Sequence, residues 1–343
     1  MLEKTRGMTP KEIVAEVLLR AGRKIKHAAG RAFDRPNTGY VSDAELRRAL
    51  ANHTPAEVAA RIRAGEGPRL TPGLADLART VAAIKRLFPD SVDGACREGE
   101  AILNHNIIIF GRAYDLGPEI AWHADPTTGA RWPLEHYTRI RLKPAEGANV
   151  RAVWELNRLH HFTTLGRAYL LTGDERFSEE FLSQLHHWNR ENPPRFGVNW
   201  TVAMEAAIRA VNIITALEMF RASPLLTDDA IASILKILLA HGRFIRANLE
   251  FSHRSLSNHY LSDLIGLSVI GHALPELCES QAWAEFGTSG LLTEMFTQVL
   301  WDGVNYENST AYHRLVVEIF LTFFTANRTR GIQWPMDRLE AMF

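Results

Sequence analysis

Cysteine is nearly absent: the chain of 343 residues holds two, Cys96 and Cys278. Lying so far apart, they make neither a disulfide framework nor a metal-binding pattern, and both are expected as buried thiols. Net charge is absent as well. The 39 Lys and Arg balance 39 Asp and Glu, which argues against a general nucleic-acid binder while leaving room for a local basic groove. No run of about 18 apolar residues occurs, so no membrane span is expected. The segment from Met1 to Lys26 is charged and helix-like and lacks the continuous apolar stretch of a secretion signal. A cytoplasmic location is the expectation, with the periplasm as the alternative. Metal signatures are missing too: there is no HExxH. His160-His161 and His186-His187 are sequence neighbours, whose side chains leave a helix about 100° apart. No metal site and no cofactor are expected within the chain. Nothing in the sequence sets an oligomeric state.

What is present is helical periodicity. Thr9-Pro10 reads as an N-cap followed by Pro at the first helical position, and Ile13, Val14, Val17, Leu18 and Ala21 recur at helical spacing over residues 9–28. Ser42 opens a short helix, Thr54-Pro55 another and Thr71-Pro72 a fourth. The fourth carries Leu74, Leu77, Val81, Ile84 and Leu87. Residues 111–149 hold Gly, Pro, Asp and Trp with little periodicity and read as a long irregular connection, of the kind that covers a site. From residue 150 the chain is helical throughout: 150–171, 174–192, 200–221, 227–248, 257–273, 280–300 and 309–327, joined by short links. Consecutive amphipathic helices with short links pack as antiparallel pairs, which stack into a solenoid or close into a toroid. The expected organisation is a first helical part over residues 1–110, a groove-covering connection over 111–149 and a main helical part over 150–343. The sequence stops about two turns after Pro335, where a further helix starts, so a truncation is expected.

Three segments carry polar residues that amphipathicity does not require. One runs from Trp154 to His161. A second, NWTVAMEAAIR, sets Trp200, Glu205 and Arg209 among apolar neighbours. Glu205 and Arg209 are spaced as a helix-surface ion pair or as a pair turned to a cavity. Glu155 and Arg158 share that ambiguity. The third comprises Asn258 and His259 at the start of one apolar helix, and Tyr306, Tyr312, His313 and Arg314 around the start of another. Helix N-termini favour negative charge, so two such ends facing one cavity would hold a carboxylate. Simple capping by Ser257 or Asn258 is the plainer alternative.

These segments, with WHADPTTGARWP, NVRAVWELNRLHH, SNHYLSDLIGL and DGVNYENSTAYHRLVVE in that order, resemble the heparinase II/III superfamily of polysaccharide lyases. The likeness is strongest to the heparinase III-like branch and its alginate-lyase relatives. It implies an all-α, incomplete (α/α) toroid followed by a C-terminal β-sandwich, which this sequence stops short of. It leaves room for a structural metal in that later domain. It also implies β-elimination on an acidic, uronate-containing polysaccharide, with a further histidine supplied after the toroid. By the resemblance, Asn258 is the residue that neutralises the uronate carboxylate, His259 assists it and Tyr312 is the catalytic tyrosine. Trp200, Glu205 and Arg209 fall on the groove-lining helix. Tyr306, His313 and Arg314 are the other expected substrate contacts, and Trp154 and Trp200 are expected to stack on sugar rings. Two rival classes remain at this level. One is an inverting glycoside hydrolase using Glu205 with Asp263 or Glu307; the other is a non-catalytic exopolysaccharide-binding protein.

Overall fold

A computed structural model describes residues 8–66, 70, 72–143, 146–253, 257–328 and 330–343. The helix starts follow local chemistry. Thr9 caps α1 (Pro10–Phe33) and Thr54 caps α3 (Pro55–Ala64), each in a reciprocal box with Glu12 or Glu57. Ser42 caps α2 (Asp43–Ala49) between them. Thr71, expected to open the fourth helix, lies outside the described residues. In that region a single 3₁₀ turn precedes α4 (Leu77–Leu87), whose cap is Asp76. Two elements are not among those expected: α5 (Asp90–Leu103) and a hairpin of β1 (Asn106–Ile109) and β2 (Arg112–Asp115), paired from Asn106–Asp115 to Ile109–Arg112.

The connection up to Asn149 is irregular beyond β2 but firmly tied. The buried Asp125 carboxylate accepts from the Thr127 backbone N–H at 2.8 Å, from the hydroxyls of Thr127 and Thr128 at 2.6 and 2.7 Å, and from the Asn149 N–H at 2.9 Å. One side chain thus closes the ADPTTG turn and holds the far end of the connection against it.

The helices that follow are α6 (Val150–Asn157), α7 (His161–Thr172), α8 (Arg176–Glu191), α9 (Ala203–Phe220), α10 (Asp228–Ala247), α11 (Asn258–Ala273), α12 (Ser280–Gln298), α13 (Thr310–Asn327) and α14 (Met336–Met342). The single helix expected over 150–171 is two helices. The break sits at Leu159, whose φ of 60° lies in the left-handed region. Helices α5, α7, α9, α11 and α13 each pack on the next, forming an inner row. Outside it, α8 packs on α7, α10 on α9 and α11, and α12 on α11, with α3 against α10. The result is an open arc of helix pairs, the incomplete all-α toroid. One hydrophobic core runs along it from Val41 to Met342. Cys278 is exposed and Cys96 half-buried, against the expectation of two buried thiols. No helix among the described residues is long and apolar enough to cross a membrane.

Candidate active site

Neighbouring inner helices present their N-termini together. Ser257 caps α11 by accepting from the His259 N–H, and Ser309 caps α13 by accepting from the Tyr312 N–H. Asn258 is therefore the first residue of α11, and Tyr312 lies in the first turn of α13. The link between the two heads is Glu307. Its carboxylate accepts from the Asn258 amide at 2.8 and 3.1 Å and from the Asn258 backbone N–H at 3.3 Å. The turn that carries Glu307 is fixed in its own right. Glu307 N–H donates to Asn305 Oδ1 (3.1 Å), Asn305 Nδ2 donates to the Gln298 carbonyl (3.1 Å), and Gln298 Nε2 donates to the Ser257 carbonyl (3.3 Å). His313 joins this turn, its Nδ1 accepting the Asn305 N–H at 3.3 Å. A neutral His313 consequently carries its proton on Nε2.

His259 belongs to a second network. Its Nδ1 lies 3.0 Å from Glu250 Oε1, while Glu250 Oε2 accepts the Met204 N–H at 2.9 Å. One carboxylate thus caps α9, which lacks a local side-chain cap, and holds the imidazole. The hydrogen bond and charge of Glu250 keep the His259 ring protonated to higher pH than an ordinary histidine, against a smaller opposing effect of burial. Buried Asp263 accepts the Glu250 N–H at 2.6 Å. Burial, reinforced by the nearby Glu250, pushes its carboxyl well above the usual range, so it resists ionising. Helix α1 ties the same loop from outside: Arg23 donates to the carbonyls of Leu249 and Phe251, and Glu16 accepts the His253 N–H.

The remaining expected residues separate into exposed and buried sets. Tyr312 is 41% exposed at the head of α13. Tyr306 is half-buried in the same turn as Glu307. Arg314 points along the outer surface of α13 to Glu318 at 2.9 Å. Trp200 and Arg209 do not line a groove. Trp200 is 1% exposed and Arg209 fully buried. The guanidinium lies 4.4 Å from the Trp188 ring centre and donates to His241 Nε2 (3.0 Å) and to the carbonyls of Asn157 and Asn199 (both 2.9 Å). It therefore has no face left for a sulfate or sugar carboxylate. Burial lowers its pKa to about 9, still charged at neutral pH, and lowers His241 to about 3. His241 is thus the neutral tautomer that accepts from Arg209 and donates through Nδ1 to the Ile237 carbonyl at 2.8 Å. Glu205 is equally inaccessible at 2% exposure. Its partner is not Arg209 one turn on but Arg158, which donates to both its oxygens at 2.8 and 2.9 Å and also to Glu155 at 2.9 Å. Trp154 is half-buried, its indole N–H on the Val198 carbonyl at 3.1 Å. Glu250 and the positioning of Arg158 leave no periodic trace in the sequence. Only their partners, an apolar helix without a cap and an acidic residue in an apolar run, hint at them. Among the described residues, no three His, Cys, Asp or Glu side chains gather as a metal site.

Residues 85–338 match the family described as heparinase II/III N-terminus. The chain belongs to that family. Among curated relatives it is 27% identical over 213 residues to a heparin-sulfate lyase of Pedobacter heparinus, an overlap of 61% of this chain and 28% of the relative. It is 25% identical over 214 residues to a heparin-sulfate lyase of Bacteroides stercoris, covering 55% of this chain and 31% of that one. The matched stretch thus spans less than a third of the length of these relatives. A crystal structure of a heparan sulfate lyase from Pedobacter heparinus superposes with a TM-score of 0.58 at 20% identity, covering 88% of this chain and 42% of that one. A heparinase III structure gives 0.51 at 18% identity, covering 82% and 45%. At such identities the structural likeness speaks for the fold. It agrees with the heparinase II/III toroid built above from helix packing.

Proposed function

We propose that this chain is the toroidal catalytic part of a polysaccharide lyase that cleaves a uronate-containing, acidic polysaccharide by β-elimination. The relatives named heparin-sulfate lyase support heparan-type polymers as the first substrates to try. The observation that carries the reading is the joining of two inner-helix heads, one bearing an amide and an imidazole, the other a phenol. A uronate C5–H is poorly acidic while its carboxylate is charged. Donors aimed at that carboxylate let charge spread into it as C5 loses its proton, and each well-placed donor contributes on the order of 3 kcal/mol. Asn258 supplies an amide N–H there, at a helix end whose dipole favours the anion. His259, whose ring the Glu250 hydrogen bond holds protonated to higher pH than an ordinary histidine, supplies a further donor. A base takes the C5 proton (by the family resemblance, the further histidine supplied after the toroid), the C5–H electron pair becomes the C4–C5 double bond, the C4–O bond breaks, and the departing oxygen takes a proton from the Tyr312 phenol. In a syn elimination the same group serves twice: as phenolate it takes the C5 proton, and as phenol it gives that proton to the leaving oxygen.

The hydrolase alternative asks for two carboxylates flanking the bond. Glu205 and Asp263 are buried, the first in an ion pair and the second resisting ionisation, so neither pairing with Glu205 fits. The test is the product. The protein incubated with heparan sulfate, alginate and other polyuronates is expected to release chains with an unsaturated uronate at the new non-reducing end, read by ultraviolet absorbance and mass. Tyr312→Phe is expected to abolish this while leaving the circular dichroism unchanged. Saturated products, or polymer binding without turnover by the wild-type protein, would overturn the reading.

A further inference from the structure

We infer that Glu307 is a positioning residue for Asn258, fixing which end of the amide faces the site and how the heads of α11 and α13 are set against each other. The inference rests on the lyase reading above for its kinetic consequence, though not for its geometry.

An asparagine amide presents an acceptor at one end and two donors at the other, and nothing intrinsic to the side chain chooses between the two flips. A lyase needs the donor end. Glu307 makes the choice, because an ionised carboxylate only accepts. Both its oxygens lie within 3.1 Å of Asn258 Nδ2, so the NH₂ end is turned toward the α13 side, where Tyr312 sits in the first turn. An amide NH₂ carries two protons, so on this inference one serves Glu307 and the other a ligand carboxylate. Asn258 is only 5% exposed, so a misflipped amide would bury its donors where water cannot compensate.

Glu307 also accepts the Asn258 backbone N–H. It is thus a remote cap on α11, and a purely structural role would end there. Three features go beyond capping. Ser257 already caps α11 locally. The shorter contacts go to the side-chain amide and not to the backbone. The turn that delivers Glu307 is anchored separately to the same helix head through Gln298 and Ser257.

The test is a double-mutant cycle in the protein, with heparan sulfate as substrate and unsaturated product as the signal. Glu307→Ala is expected to lower kcat by roughly 30-fold or more with KM changed less than about 3-fold. Glu307→Gln, whose amide oxygen can still accept from Asn258, is expected to recover most of that loss. In the Asn258→Ala background, Glu307→Ala is expected to cost less than about 2-fold, because its effect runs through the missing amide. A second readout needs no activity: the side-chain ¹⁵N–¹H₂ pair of Asn258, identified by its loss in Asn258→Ala, should be protected from exchange in the wild type and unprotected in Glu307→Ala. Multiplicative losses in the double variant, or an Asn258 amide signal indifferent to Glu307→Ala, would overturn the inference. Failure of the wild type to form unsaturated product would overturn the lyase reading instead, and the amide signal would still decide the role of Glu307.

Discussion

At the scale of single residues, the chain separates charges used to hold the fold from charges offered to a ligand. Arg209 and Glu205 show the first use. Their spacing places them on one side of α9, and that much is legible in the sequence. What packs against that side comes from residues about 50 positions away, such as Arg158 and Asn157, and no local pattern encodes it. Asn258, His259 and Tyr312 are the polar groups proposed for the second use. Their places at helix heads are legible because apolar helical runs follow each of them. The carboxylates that steer them, Glu307 and Glu250, are visible only in three dimensions. The Glu250–His259 pair makes a prediction with a definite sign. A histidine whose folded pKa is raised adds stability that is fully present below the unfolded value of about 6.5 and is lost as pH rises through the higher folded value. In Glu250→Gln the His259 titration midpoint, followed by NMR, is therefore expected to fall. The stability gap between wild type and variant is expected to be wider at acidic than at alkaline pH. The cap on α9 is also weakened, but that loss does not vary over this range. An unmoved midpoint would detach His259 from Glu250.

At the scale of elements, helix starts were readable and helix interruptions were not. Cap and Pro signals placed the starts of α1 and α3, and periodicity those of α10 and α13, to within a residue or two. The break at Leu159 was hidden because apolar spacing continues across it from Leu156 to Leu165. Both flanks face the same core, so periodicity reports the face and not the continuity. The hairpin β1–β2 was equally hidden, four residues per strand being too short for alternation to register. Packing between α11 and α12 depends on a feature of another kind. A Cβ added at Gly287 would stand 2.4 Å from the Leu264 carbonyl oxygen, and one at Gly271 would stand 2.5 Å from the Ser280 carbonyl. Backbone meets backbone there, and a flexible side chain cannot yield. Gly287→Ala is expected to cost about 1–3 kcal/mol through forced separation of the helices, measured as a lower Tm. A Tm equal to or above that of the wild type would show that the α11–α12 contact is looser than described.

At the scale of the whole molecule, alternation of inner and outer helices does the functional positioning. Because α11 and α13 are neighbours in the inner row, residues far apart in sequence come to one rim of the arc. Periodicity established that the helices pair; it could not choose between a straight stack and a curved one, since both bury the same faces. The resemblance to lyases supplied that choice, and the packing of α5, α7, α9, α11 and α13 in sequence agrees with it. The proposed function turns on one piece of geometry: that the rim where α11 and α13 begin receives a uronate. The most direct measurement is a crystal structure of the Tyr312→Phe protein with a bound heparan sulfate oligosaccharide. The account predicts a uronate carboxylate within hydrogen-bond distance of Asn258 Nδ2, with the ring at position 312 beside the glycosidic oxygen. An oligosaccharide seated elsewhere, with no sugar at either helix head, would contradict it.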